Sequence, residues 1–173
     1  MAQPENPTKP RGHAYDRPEV EVTLAPLSLR GNLVRPEHGR GLVLFVHGSG
    51  SSRLSPRNRF VAERLQRKGL GTLLFDLLRD DEAADRRNVF DISLLAERLA
   101  LATDWVRSRT DLRSLPLLFR SEHGRAAALV ADTITHHSIA AIVSRGGRPD
   151  LAGVALRAVR APTLLIVGGA TTG

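Results

Sequence analysis

Two short stretches carry the groups from which chemistry can be built. The first is His47-Gly48-Ser49-Gly50-Ser51-Ser52, directly after the apolar run Leu42–Val46. Glycines there let the backbone turn sharply and present bare N–H groups. The second is Ser121-Glu122-His123, which sets a hydroxyl, a carboxylate and an imidazole in succession. It lies between the apolar run Leu115–Phe119 and the small-residue run Gly124–Ala131. Acyl-transfer chemistry of the triad type needs a hydroxyl, a base that takes its proton and an acid that orients the base. Ser121 and His123 do not make such a set alone, because side chains two apart on a tight turn rarely converge.

The elements that must position these stretches follow from the apolar pattern. Leu42–Val46 is short, apolar and rich in branched residues, which reads as a strand buried on both faces in a parallel sheet. Ser55-Pro56 opens a helix, with serine at the cap and proline at the first helical position. The loop between strand and helix therefore sits at the C-terminal end of the strand, where open α/β sheets place their chemistry. Upstream, Val20–Leu24 and Leu27–Val34 alternate enough to read as two strands, with Ala25-Pro26 between them. Downstream, Ser55–Lys68 reads as an amphipathic helix burying Phe60, Val61 and Leu65. Leu70–Leu78 is a strand with Asp76 near its C-terminal end. Asp91–Arg109 is the clearest helix, capped by Asp91 and striped by Ile92, Leu95, Leu99, Ala102 and Val106. Leu115–Phe119, Ile139–Val143 and Ala161–Val167 supply further strands. Alternation with helices predicts that Leu42–Val46, Leu73–Phe75, Leu117–Phe119, Ile139–Val143 and Thr163–Val167 lie parallel in one sheet.

Other features have plainer readings. Residues 1–18 hold four prolines among polar residues and read as a disordered tail, leaving 19–173 as one domain. The acidic connector Arg79–Asn88 lacks the oxygen spacing and closing glutamate of a calcium loop and reads as a solvated loop. His136 and His137 are adjacent, so their side chains diverge, and they read as a loop pair. The 173 residues contain no cysteine, which excludes disulfides and thiolate metal sites. The formal charge of +7 raises the possibility of a basic nucleic-acid-binding domain. The arginines are scattered among acids, however, and aromatics for base stacking are only 4% of the chain. No apolar run approaches the roughly 18 residues of a membrane span, and no apolar signal segment opens the chain. The expected location is the cytoplasm, with no membrane partner and oligomeric state open.

The loop His47–Ser52 resembles the oxyanion loop of α/β-hydrolases, and more narrowly that of the small dienelactone-hydrolase-like group. Asp85-Arg86-Arg87-Asn88-Val89-Phe90-Asp91-Ile92 resembles the group's entry into its next helix, and Ser144–Asp150 and Ala161–Gly169 are similar as well. The resemblance runs from about Val20 to Ala170. It implies a doubly wound, mostly parallel α/β-hydrolase sheet, and an oxyanion loop formed by His47, Gly48, Ser49, Gly50 and Ser51. It also implies hydrolysis of a small ester-like or acyl substrate without a cofactor or metal. In that family the nucleophile stands in a Gly-x-Ser-x-Gly elbow. Aligned on Gly124, this chain reads Arg120-Ser121-Glu122-His123-Gly124, with Glu122 at the nucleophile position and Arg120 at the first glycine. Three readings stand side by side: an inactive elbow, Ser121 acting in a shifted register, and Glu122 attacking as a carboxylate, as aspartate does in dehalogenases and epoxide hydrolases of the superfamily. His47, on the same sheet edge, is a further candidate base, although its family role is to shape the loop. The family's acid position falls on Thr171, and its histidine has no counterpart. The expectation is therefore a hydrolase fold truncated at its C-terminus, with impaired or absent activity; the alternative is a non-catalytic hydrolase-fold remnant or binding protein.

Overall fold

The computed structural model describes residues 18–36, 38–47, 51–122, 125–135, 139–146 and 148–167. The expected tail up to residue 17, loop residues Gly48, Ser49 and Gly50, the pairs His123-Gly124 and His136-His137, and the segment from Gly168 lie outside the described residues.

Seven strands form one sheet: β1 (Val20–Leu24), β2 (Leu29–Val34), β3 (Leu42–Val46), β4 (Gly71–Phe75), β5 (Leu117–Ser121), β6 (Ala141–Arg145) and β7 (Thr163–Ile166). Their order is β1-β2-β4-β3-β5-β6-β7. β1 and β2 pair antiparallel, as do β2 and β4. The other pairings, from β4 through β3, β5 and β6 to β7, are parallel. The five apolar runs thus share one direction, as their alternation with helices implies. Helices α1 (Pro56–Gln66), α2 (Asp80–Ala83), α3 (Arg86–Phe90), α4 (Ile92–Ser108) and α5 (Arg125–Ile134) supply the crossovers, and a 3-10 segment, Pro149–Ala158, leads toward β7.

β3 is buried along its whole length because both sheet faces are covered. Successive side chains of a strand alternate between faces. Leu42, Leu44 and Val46 therefore join Leu73, Phe75, Leu117 and Phe119 in the larger core, which includes Leu95, Leu99 and Val106 of α4 and Ala127 and Leu129 of α5. Val43 and Phe45 point the other way, to Leu74, Ala62 and the partly buried Val61 and Leu65 of α1. Helices on both faces make the sheet doubly wound. α4 begins where expected, with the Asp91 carboxylate accepting the Leu94 N–H at 3.0 Å, and this satisfies a donor the first turn would otherwise leave free.

Four details differ from the sequence reading. Phe60 is exposed; the buried stripe of α1 runs through Asn58 and Ala62 instead, and the Arg64 guanidinium covers the Phe60 ring at 5.0 Å. The acidic connector is not a loop but α2 and α3. Its carboxylates serve helix starts: Glu82 accepts the Arg79 N–H at 3.0 Å, and Asp85 accepts the Arg87 N–H at 2.9 Å. Hydrogen bonds from the Arg79 and Arg87 side chains hold the Asp81 and Asp85 carboxyls below the usual range. The polar turn expected from Asp132 starts later, because α5 runs on to Ile134; Asp132 accepts the N–H groups of Arg160 and Ala161 and so ties α5 to the approach of β7. Finally, β7 is exposed at every residue, unlike the other parallel strands.

Candidate functional site

Parallel pairing brings the two chemistry-bearing stretches together. β3 and β5 are neighbours, and their last residues, Val46 and Ser121, are register partners. His47 and Glu122, the residues that follow them, therefore stand at the same edge of the sheet, at the C-terminal ends of the strands.

Strand alternation then separates the candidates. Ser121 continues the row of Leu117 and Phe119; it is fully buried, and its hydroxyl has no hydrogen-bond partner. Arg120 projects to the opposite face, where its guanidinium lies 5.1 Å from the Phe45 ring. From there it donates to the Asn58 side-chain oxygen at 2.8 Å through Nη1 and to Glu122 Oε1 at 3.0 Å through Nη2. Asn58 in turn donates to Ser51 Oγ at 3.3 Å. A continuous polar chain, Ser51–Asn58–Arg120–Glu122, therefore joins the end of the loop after β3 to the turn after β5.

Glu122 is 7% exposed. A carboxylate so placed needs compensation by opposite charge and hydrogen bonds. Beyond Arg120 it meets Arg57 Nη1 at 3.7 Å and Arg145 Nη1 at 3.9 Å. The sequence placed Arg120 only at the first glycine of the elbow and gave no site role to Arg57, Asn58 or Arg145. A signal was present for the first pair: residues 120 and 122 are two apart at a strand end, hence on one side, and carry opposite charges. Nothing local pointed to Arg57 and Arg145, which arrive from α1 and β6.

His47 lies beside Asp76. Its Nε2 lies 3.7 Å from Asp76 Oδ1, and Asp76 also accepts the Arg53 N–H at 2.9 Å and the Arg53 guanidinium at 3.0 Å. Asp76 thus fastens the turn after the loop to the end of β4. A cavity of about 470 Å³ opens on this side, walled by His47, Ser51, Arg53, Asp76, Leu78 and Leu95. A smaller groove of about 260 Å³ lies on the α1 side, between Leu118, Arg120, Val143, Arg145 and Ile166. Neither has Glu122 in its wall. Among the described residues no three histidines or carboxylates gather as a metal site, and no helix is long and apolar enough to cross a membrane.

Sheet order, both covered faces and the loop at the C-terminal ends of the strands define an α/β-hydrolase fold. Superposition on the dienelactone hydrolase from Anabaena variabilis gives a TM-score of 0.82 at 52% identity, covering 88% of this chain and 73% of that one. The chain belongs to the dienelactone hydrolase family. More distant solved structures show the same fold: a Pyrococcus furiosus esterase has a TM-score of 0.65 at 16% identity, covering 89% of this chain and 71% of that one. A dienelactone hydrolase-like promiscuous phosphotriesterase from metagenomic libraries has 0.64 at 20%, covering 87% and 67%. Two curated Mycobacterium tuberculosis proteins, from strains CDC 1551 / Oshkosh and ATCC 25618 / H37Rv, bear the provisional name of phosphoribosyl transferase. Each is 55% identical over 152 residues, which are 87% of this chain. The chain spans about a third of their length, 34% of each. No family model matches the chain.

Proposed function

We propose that this protein is a hydrolase-fold protein of the cytoplasm whose site takes a small ester-like or acyl molecule by descent, without a cofactor, and whose acyl-transfer chemistry is impaired. The observation that supports this is the Arg120–Glu122 pair. Glu122 aligns with the nucleophile of the family's elbow, yet its carboxylate accepts a 3.0 Å bond from a guanidinium, and both side chains are about nine-tenths buried. Attack requires a lone pair free to approach a carbonyl carbon, and a charge-assisted hydrogen bond lowers the energy of that lone pair. The same carboxylate places negative charge at the sheet edge where an oxyanion would develop, and that charge opposes the step. The neighbouring hydroxyl, Ser121, faces the core rather than the cleft. His47 Nε2 lies 3.7 Å from Asp76 Oδ1, and in this reading the residue shapes the loop rather than acting as a base.

The transferase name of the M. tuberculosis relatives belongs, in this reading, to the larger part of those proteins that the chain does not match.

Hydrolysis of p-nitrophenyl acetate at neutral pH tests the proposal. The expected initial rate is no higher than that of a Gly48→Trp control. Turnover above the control that Ser121→Ala abolishes would establish a nucleophile in shifted register, and turnover that Glu122→Gln abolishes would establish attack by the carboxylate. Either result ends this reading.

A further inference from the structure

We propose that Arg57, Arg120 and Arg145 form a binding site for a doubly charged phosphate group, which Glu122 partly fills from within. The inference names a ligand class for the same sheet edge and rests on the preceding reading only in keeping Glu122 out of catalysis. Three guanidiniums converge on one carboxylate. Three positive charges against one negative leave two in surplus, which matches a phosphate monoester rather than a monocarboxylate.

The three arginines are not equivalent. Arg120 is buried and already spends its donors on Asn58 and Glu122. Arg57 and Arg145 are about two-thirds exposed, and their separations of 3.7 and 3.9 Å from Glu122 are beyond hydrogen-bond length. Neither pairs with another carboxylate among the described residues, so their planar donor forks remain available to an incoming oxyanion. Both lie within reach of one carboxylate, and a phosphate seated beside it can therefore meet both. α1 adds a second, independent contribution. Arg57 and Asn58 belong to its first turn, which has no acidic residue, and the Ser55 side chain makes no capping bond there. A helix N-terminus left open in this way favours an anion through its free N–H groups and its dipole. Glu122 supplies the anion that this edge otherwise lacks, and a phosphate competes with it for Arg57 and Arg145.

Two-dimensional amide NMR spectra of the whole chain, titrated with inorganic phosphate against chloride at matched ionic strength, test this. The expected result is a saturable set of shifts centred on Arg57, Asn58 and Arg145. Affinity should fall at least tenfold in the Arg57→Ala/Arg145→Ala variant, whose substitutions are at exposed positions. It should rise about tenfold in Glu122→Gln, where the competing charge is gone. A parallel titration with phenyl phosphate separates the sources: tighter binding than inorganic phosphate assigns an organic monoester, and equal binding assigns free phosphate. Shifts that do not saturate, or that persist unchanged in the double arginine variant, overturn the proposal, as does an unaltered affinity in folded Glu122→Gln. The ester assay above is read separately: failure here leaves the impaired-hydrolase reading intact, turnover there that Ser121→Ala abolishes leaves the phosphate site standing, and turnover that Glu122→Gln abolishes overturns both.

Discussion

Replacing Arg120 by alanine is expected to destabilise the fold by about 3 kcal/mol, the lower end of what breaking a buried ion pair costs. The loss comes mainly from Glu122, which stays almost fully buried while losing its 3.0 Å hydrogen bond from Arg120. Arg57 and Arg145 are close enough to follow the orphaned carboxylate, and this keeps the figure from rising further. The Asn58 bond and the packing of the guanidinium on Phe45 are lost as well. Urea unfolding checks the value through a lowered midpoint at unchanged slope. The sharper check is a double-mutant cycle with Glu122→Gln. Once the carboxylate is neutral, Arg120→Ala should cost at least about 1 kcal/mol less than in the parent chain. Strict additivity would mean that the pair carries no coupling and that burial of Glu122 is compensated elsewhere.

Gly71→Ala is expected to be worse for folding than its single added methyl suggests. A Cβ at this position would lie 2.6 Å from Pro36 Cδ, 2.7 Å from Pro36 N and 2.9 Å from Val34 O. Two of these atoms are backbone, and Val34 is paired with Thr72 in the sheet. Relief therefore requires β2 and β4 to move apart, close to the Gly71 N–H bond to Gly41 O at 2.9 Å. Overpacking usually costs about 1–3 kcal/mol, and a contact against fixed backbone belongs at or above the top of that range. Gly31→Ala is the internal comparison, since its nearest atoms are side chains at 3.1–3.2 Å that can shift by a few tenths of an ångström. Thermal unfolding should rank Gly71→Ala well below Gly31→Ala. Equal melting temperatures would show that the start of β4 yields more easily than its packing implies.

The sheet was legible because its signals are redundant along the chain. Leu42–Val46 and Leu73–Phe75 are continuous apolar runs of strand length, and each is followed by a helix with its own periodicity, so direction and burial could be read together. α4 announced itself through both its stripe and its Asp91 cap. Legibility failed where one local pattern serves two structures. A run such as Asp80-Asp81-Glu82 is what a solvated loop needs and also what a helix N-terminus prefers, and tertiary bonds, Arg98 to Glu82 at 2.7 Å and Arg30 to Asp80 at 2.8 Å, show that the segment is held down. Phe60 was misplaced because three apolar residues in one helix do not say which of two adjacent stripes faces the sheet; the small Ala62 and the hydrogen-bonding Asn58 decided it.

The candidate site was half legible. The loop at His47 and the turn at Glu122 could be paired from strand order, and the departure of the elbow from Gly-x-Ser-x-Gly could be seen residue by residue. The electrostatic surroundings could not, because Arg57 and Arg145 reach Glu122 from positions 65 residues before it and 23 after it in sequence. A charge that sequence alone presents as a weak nucleophile is, in the folded chain, the negative centre of an arginine cluster.

The proposal turns on two points: among the described residues no hydroxyl at this sheet edge is activated, and Glu122 is held by arginine rather than poised to attack. Exposure of the whole chain to an alkyl fluorophosphonate, followed by intact-mass and peptide mass spectrometry, tests it most directly, since such reagents label serines that a base has made nucleophilic. The account predicts an unmodified mass at full incubation. A phosphonyl adduct on Ser121 or Ser51 would contradict it.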